Sequence, residues 1–116
     1  MKENWVRNVD VISVVDGDSL HLAIDLGLRT HAVALVRLFG LNAPEMSGER
    51  KIEGQAAKDW LTQRIATHKG LTARIYKDPE KYGRWLVELF DGEANINQEL
   101  IAAGHAKPWD GNGIRP

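Results

Sequence analysis

Leu20, Leu22, Ile24 and Leu26 alternate with Ser19, His21, Ala23 and Asp25. An apolar residue at every second position builds a strand with one face in a core and the other toward solvent. Val9, Val11, Ile12, Val14 and Val15 precede this run, and branched side chains favour the same conformation. Asp16-Gly17 between the two runs marks a tight turn, and Leu26-Gly27-Leu28-Arg29 marks the next. Residues 32–39 are apolar on both faces except for Arg37, which predicts a central strand buried on both sides.

The period then changes. Pro44 and Gly48 punctuate a loop over residues 40–48. Over residues 49–68, Ile52, Ala56 and Trp60, and beside them Ala57, Leu61 and Ile65, recur at helical spacing, with Gly70 as the stop signal. Trp60, Leu61 and Ile65 read as core packing. Residues 71–77 and 84–91 read as two further strands, and Asp91-Gly92 as a hairpin turn. Asn97 reads as the cap of a short second helix carrying Leu100 and Ile101, with Gly104 past its end. From Lys107 onward the chain reads as an open tail. Three strands, a long helix, two strands and a short C-terminal helix give a mainly β fold with helices (α+β). That is the element order of a five-stranded OB-type barrel. The expected organisation is one domain over residues 1–107 and a flexible tail over 108–116.

Composition narrows the chemistry. The 116 residues suit one domain, and 43% are hydrophobic, enough for a real core. Without cysteine there are no disulfides and no thiolate metal sites. Met1-Lys2-Glu3-Asn4-Trp5 lacks the apolar stretch of a signal peptide, so a cytoplasmic protein is expected, or a secreted one if a leader precedes it. No apolar run is long enough for a membrane helix. Fifteen basic against 16 acidic residues leave a net charge of −1, which gives no support to a general electrostatic nucleic-acid binder. Recognition of a polyanion must then be local, through a few placed residues.

Arg37 is the first such residue. Leu35 and Phe39 share its side of the strand, and a guanidinium cannot shed its charge there. Burial costs several kcal/mol unless an anion pairs with it, in a structural salt bridge or as a clamp on phosphate. Asp18 shares a face with Leu20, Leu22 and Ile24, so it should look into the barrel mouth, where a carboxylate suits a hard cation. Glu45 follows Asn42-Ala43-Pro44, and the proline stiffens its loop. Arg84 comes at the start of a strand after Lys81-Tyr82-Gly83. His21, His31, His68 and His105 show no metal-ligand spacing, and nothing around Ser19 suggests a nucleophilic triad.

Taken in order, Val15-Asp16-Gly17-Asp18-Ser19, Val36-Arg37-Leu38, Asn42-Ala43-Pro44-Glu45, Gly54-Gln55-Ala56, Lys81-Tyr82-Gly83-Arg84 and the run from Asn97 to Ala106 resemble the staphylococcal nuclease (thermonuclease) family. The resemblance covers roughly residues 9–107. It implies an OB-fold barrel that hydrolyses DNA and RNA with calcium, single strands preferred, and a monomer by default. It assigns Asp18 to the metal, with Asn42 and the Ala43 carbonyl beside it. Arg37 and Arg84 go to the phosphate and its transition state, Glu45 to the attacking water, and Lys81 and Tyr82 to the nucleotide. One departure stands out: the family commonly has aspartate where this chain has Asn42, which keeps a carbonyl oxygen but removes a charge. Pro108-Trp109 also departs, and Trp109 is expected either to stack on a base or to pack on the barrel. The alternative to a nuclease is a catalytically weak or inactive OB-fold module that binds nucleic acid or protein.

Overall fold

The computed structural model describes residues 4–76 and 84–109. The elements are β1 (Asn4–Asp16), β2 (Ser19–Gly27), β3 (Thr30–Leu38), β4 (Leu41–Asn42), a 3₁₀ turn (Gly48–Arg50), α1 (Lys51–Ala66), β5 (Leu71–Tyr76), β6 (Trp85–Asp91), β7 (Ala94–Asn95), α2 (Ile96–Ala102) and β8 (Lys107–Pro108).

Strands β3, β2, β1, β5 and β6 pair in that order, each antiparallel to its neighbour. A short parallel seam between β3 and β6 then closes the sheet into a five-stranded barrel, with Val36, Arg37 and Leu38 opposite Trp85, Leu86 and Val87. Irregularities in β1 between Val11 and Ser13 and between Val14 and Asp16 are bulges, which sharpen strand curvature and allow closure. The β2–β3 hairpin turns on Leu28 and Arg29, both at positive φ (54° and 61°), as a two-residue primed turn requires.

Leu20, Leu22, Val36, Leu38, Val87 and Leu89 fill the barrel, and Leu61, Ile96 and Leu100 from the helices cap it. The alternation holds in the middle of β2, where Leu20, Leu22 and Ile24 are buried and His21, Ala23 and Asp25 half-buried, but at its ends Ser19 is buried and Leu26, expected on the core face, is 44% exposed where the strand runs out past the barrel. β3 differs from expectation. Its first half runs past the seam, so Val33 is 67% exposed and Leu35 sits at the surface, and only Val36–Leu38 are enclosed. Apolar side chains tolerate such exposure, and composition alone cannot place the end of a seam.

Helix α1 buries Ala57, Leu61 and Ile65, with Trp60 packed at the edge. Ile52, placed on the same stripe by its spacing, is 77% exposed. The helix closes at Thr67, whose N–H donates to the Arg64 carbonyl, before Gly70 is reached. The cap of α2 is Asn95, not Asn97: Asn95 Oδ1 accepts from the Gln98 N–H at 3.1 Å. Asn97 is buried inside the helix. Its Oδ1 accepts from the Leu89 N–H, and its Nδ2 donates to the carbonyls of Phe39 and Val87. It thereby joins α2 to β6 and to the end of β3. Arg64 adds a second tie, from α1 to Asp91 at the end of β6 and to Glu99 of α2. Lys107 and Pro108 pair with Asn42 and Leu41, and the Trp109 N–H donates to the Gly40 carbonyl, so the chain is held to the barrel through Trp109. Among the described residues no helix is long and apolar enough to cross a membrane.

Candidate active site

The site begins where β1 turns into β2. Gly17 packs so tightly that a Cβ there would lie 2.7 Å from the Ala57 Cβ and 2.9 Å from that of Ala43. A side chain at this position would push the turn off the helix and off the loop that follows β4. Asp16 Oδ1 accepts from the Asp18 N–H at 3.1 Å, which fixes the turn. The Asp18 carbonyl accepts from the Leu38 N–H at 2.8 Å and so ties the turn to the seam end of β3.

Asp18 is buried, its side chain 9% exposed. Its Oδ2 accepts from the Ala43 N–H at 3.0 Å, its Oδ1 from the Ser19 hydroxyl at 3.3 Å, and Arg37 Nη2 stands 3.8 Å from Oδ2. Burial pushes its carboxyl from 3.8 up to about 6; the neighbouring Asp16 adds to the rise, while the Ala43 N–H and Arg37 oppose it. Desolvation therefore outweighs the partners that this carboxylate has.

Arg37 is 8% exposed, as the cost of an unhydrated guanidinium made worth asking about. Besides the Asp18 carboxylate it meets neutral groups. Nη2 donates to Asn42 Oδ1 at 3.2 Å and to the Leu41 carbonyl at 3.4 Å, and the Trp109 ring lies with its centroid 5.0 Å from Cζ. Carbonyl oxygens and an aromatic face solvate a guanidinium in place of water. Ser19 lies directly opposite Arg37 across the β2–β3 ladder, which puts both side chains on one side of the sheet. Ser19 Oγ accepts from Arg84 Nη1 at 3.2 Å. The parallel seam, which sets Val36 opposite Trp85, places Arg84 just before β6 at the end of the closure, and its side chain lines the same cleft as Arg37.

Glu45 arrives on the loop after β4. That loop rests on α1 at Gly54, where a Cβ would lie 2.6 Å from the Glu45 carbonyl carbon and 2.9 Å from the Met46 nitrogen. Glycine in mid-helix lowers helix propensity, and here it lets the loop backbone touch the helix. The Glu45 side chain is exposed.

Asp18, Arg37, Glu45 and Arg84 all line one open cleft of about 390 Å³, together with Asp16, Ala43, Pro44, Met46 and Ser47. The cleft holds two guanidiniums and three carboxylates. Ala43 belongs to its wall. Asn42 does not line it, facing Arg37 instead and bordering the two neighbouring hollows. Lys81 and Tyr82 lie outside the described residues. Asp16 and Ser19 escaped the sequence reading as members of the site, since they read as turn and strand residues; Trp109, expected to stack on a base or to pack on the barrel, is found against Arg37. The opposition of Ser19 to Arg37 depends on the irregularity between Asp25 and Gly27, which shifts the register one residue from the Gly27–Thr30 turn pair, so placing the turn alone would set Ser19 opposite Leu38.

Residues 35–111 match the family model described as staphylococcal nuclease homologue. No curated protein matches the chain.

Proposed function

Since the chain belongs to the staphylococcal nuclease homologue family, we propose that it is a metal-dependent nuclease that hydrolyses phosphodiester bonds of single-stranded DNA or RNA. The observation that carries this reading is the convergence of Arg37 and Arg84 on one cleft wall with the buried Asp18 and the exposed Glu45. A phosphodiester anion repels hydroxide, so its charge must be offset before water can attack. Two guanidiniums do this, and their hold strengthens as charge builds on the equatorial oxygens of the transition state. The seam and the Ser19 hydroxyl fix both arginines beforehand, so little is lost to ordering them during reaction. Glu45, exposed and anchored through Gly54, is the base toward the attacking water.

The donors available to a cation are all oxygens, which suits a hard ion such as calcium. Ionised Asp18 is under-compensated, as its raised pKa shows, and a divalent cation would relieve it. Among the described residues no three His, Cys, Asp or Glu side chains gather as a metal group, so Asp18 would share the ion with Asp16, the Ala43 carbonyl and water. Asn42, whose Oδ1 accepts from Arg37, would join only by sharing that oxygen. Bound there, the ion would polarise a phosphoryl oxygen and orient water.

The test is cleavage of single-stranded DNA and RNA across a divalent-metal series. Calcium-stimulated cleavage, loss with chelator, and a fall of roughly two to four orders of magnitude in Arg37→Ala and Arg84→Ala are expected. Full activity in either variant sinks the reading. A second reading, a module that grips nucleic acid without cutting it, is favoured by the Asn42–Arg37 bond and by the sparse carboxylates. It requires binding that survives chelator and no turnover with any metal.

A further inference from the structure

Trp109 is half-buried, its ring centroid is 5.0 Å from Arg37 Cζ, and it does not line the cleft that Arg37 lines. Its position follows from the backbone. Lys107 and Pro108 pair with Asn42 and Leu41, the Trp109 N–H donates to the Gly40 carbonyl at 3.0 Å, and Pro108 restricts the chain just before the ring. The same two-residue strand β4 supplies Leu41 O and Asn42 Oδ1 to the guanidinium. One small sheet therefore presents two acceptors and one aromatic face to a single side chain.

We propose that Trp109 is a positioning residue for Arg37, and that the β4–β8 pair makes the C-terminal segment a working part of the phosphate site. This rests on the reading of the cleft as a phosphodiesterase site. A guanidinium stacked on its face keeps its in-plane donors aimed, and an arginine otherwise samples many rotamers. Holding it before substrate arrives removes that ordering from the reaction step.

The experiment is a double-mutant cycle on single-stranded DNA cleavage with calcium, with thermal unfolding of each variant measured alongside. Trp109→Leu keeps an apolar side chain but removes the π face; Trp109→Phe keeps a π face. Trp109→Leu is expected to lower kcat about ten-fold with KM little changed, and Trp109→Phe to stay within about three-fold of wild type. In an Arg37→Ala background, Trp109→Leu should have no further effect. The same cycle run on binding of a short oligothymidylate in chelator gives a readout that needs no turnover. Wild-type rates in Trp109→Leu, or an equal loss with and without Arg37, overturn the proposal and leave the nuclease reading standing. Binding without cleavage in wild type overturns hydrolysis, and the binding cycle then decides the role of Trp109. A wild type that neither binds nor cuts overturns both.

Discussion

Asp18→Asn should stabilise the metal-free protein above neutral pH while removing its response to calcium. The magnitude comes from the environment of the carboxyl. Its pKa rises from 3.8 to about 6 on folding, so the folded state favours the protonated form. The stability tied to that proton is fully present below 3.8 and is lost as pH rises through about 6. Above that range the ionised carboxylate costs the fold about 3 kcal/mol relative to its neutral form. Asparagine reproduces the neutral form: its Oδ1 can still accept from the Ala43 N–H, and Arg37 keeps Asn42 and the Leu41 carbonyl. Urea denaturation in chelator, run from about pH 4 to about pH 8, isolates the titration from any constant offset of the substitution. The difference between variant and wild type should grow in favour of the variant by about 1–3 kcal/mol across that range. Calcium should then raise the stability of wild type at neutral pH, by up to about 3 kcal/mol at a hundred-fold excess over its dissociation constant, and leave the variant unmoved. A difference that stays flat with pH, or moves against the variant, would refute the desolvation argument.

Other expectations come from the supports of the site. Asn97→Ala strands the Leu89 N–H and the Phe39 carbonyl, a loss of about 2–6 kcal/mol in urea denaturation; a loss below about 1 kcal/mol would show that these bonds do not tie α2 to the barrel. Gly54→Ala forces a methyl against the Glu45 backbone, so cleavage should fall roughly ten- to hundred-fold with the barrel still folded, as circular dichroism can check; unchanged kinetics would separate the loop from catalysis. Asn42→Asp adds a carboxylate beside the cation donors, so the calcium needed for half-maximal cleavage should drop by about ten-fold, and no change in the calcium titration would exclude this position as a ligand.

The barrel was legible because β2 alternates, β1 and β3 are rich in branched and apolar residues, and the turns between them carry glycine. Leu20, Leu22 and Ile24 are where a period of two puts them. What escaped depends on distance rather than pattern. Asn97 has the chemistry of a cap, and two residues earlier Asn95 has the same chemistry; only the arrival of β6 and the end of β3 around the helix decides which asparagine faces solvent. The outer half of β3 has the composition of a buried strand, yet its exposure is set by where the seam with β6 begins. At the site, the cost of burying a cation pointed to Arg37 before any coordinates did. It also pointed to an anion as the partner, and Asp18 stands there at 3.8 Å; the carbonyl oxygens and the Trp109 ring that join it were not legible, because they come from β4 and from just past β8, elements too short to show a period.

The seam has a consequence for how this molecule would fail. Three residue pairs close the barrel, and the two arginines ride on opposite banks of that closure, far apart in sequence and like in charge. An arriving phosphate, by bridging the two, would act as a latch across that closure. Substrate would then protect the barrel at its weakest line. Catalysis should also fade on heating before the sheet melts, since parting these few hydrogen bonds separates the clamp while β1, β2 and β5 remain paired.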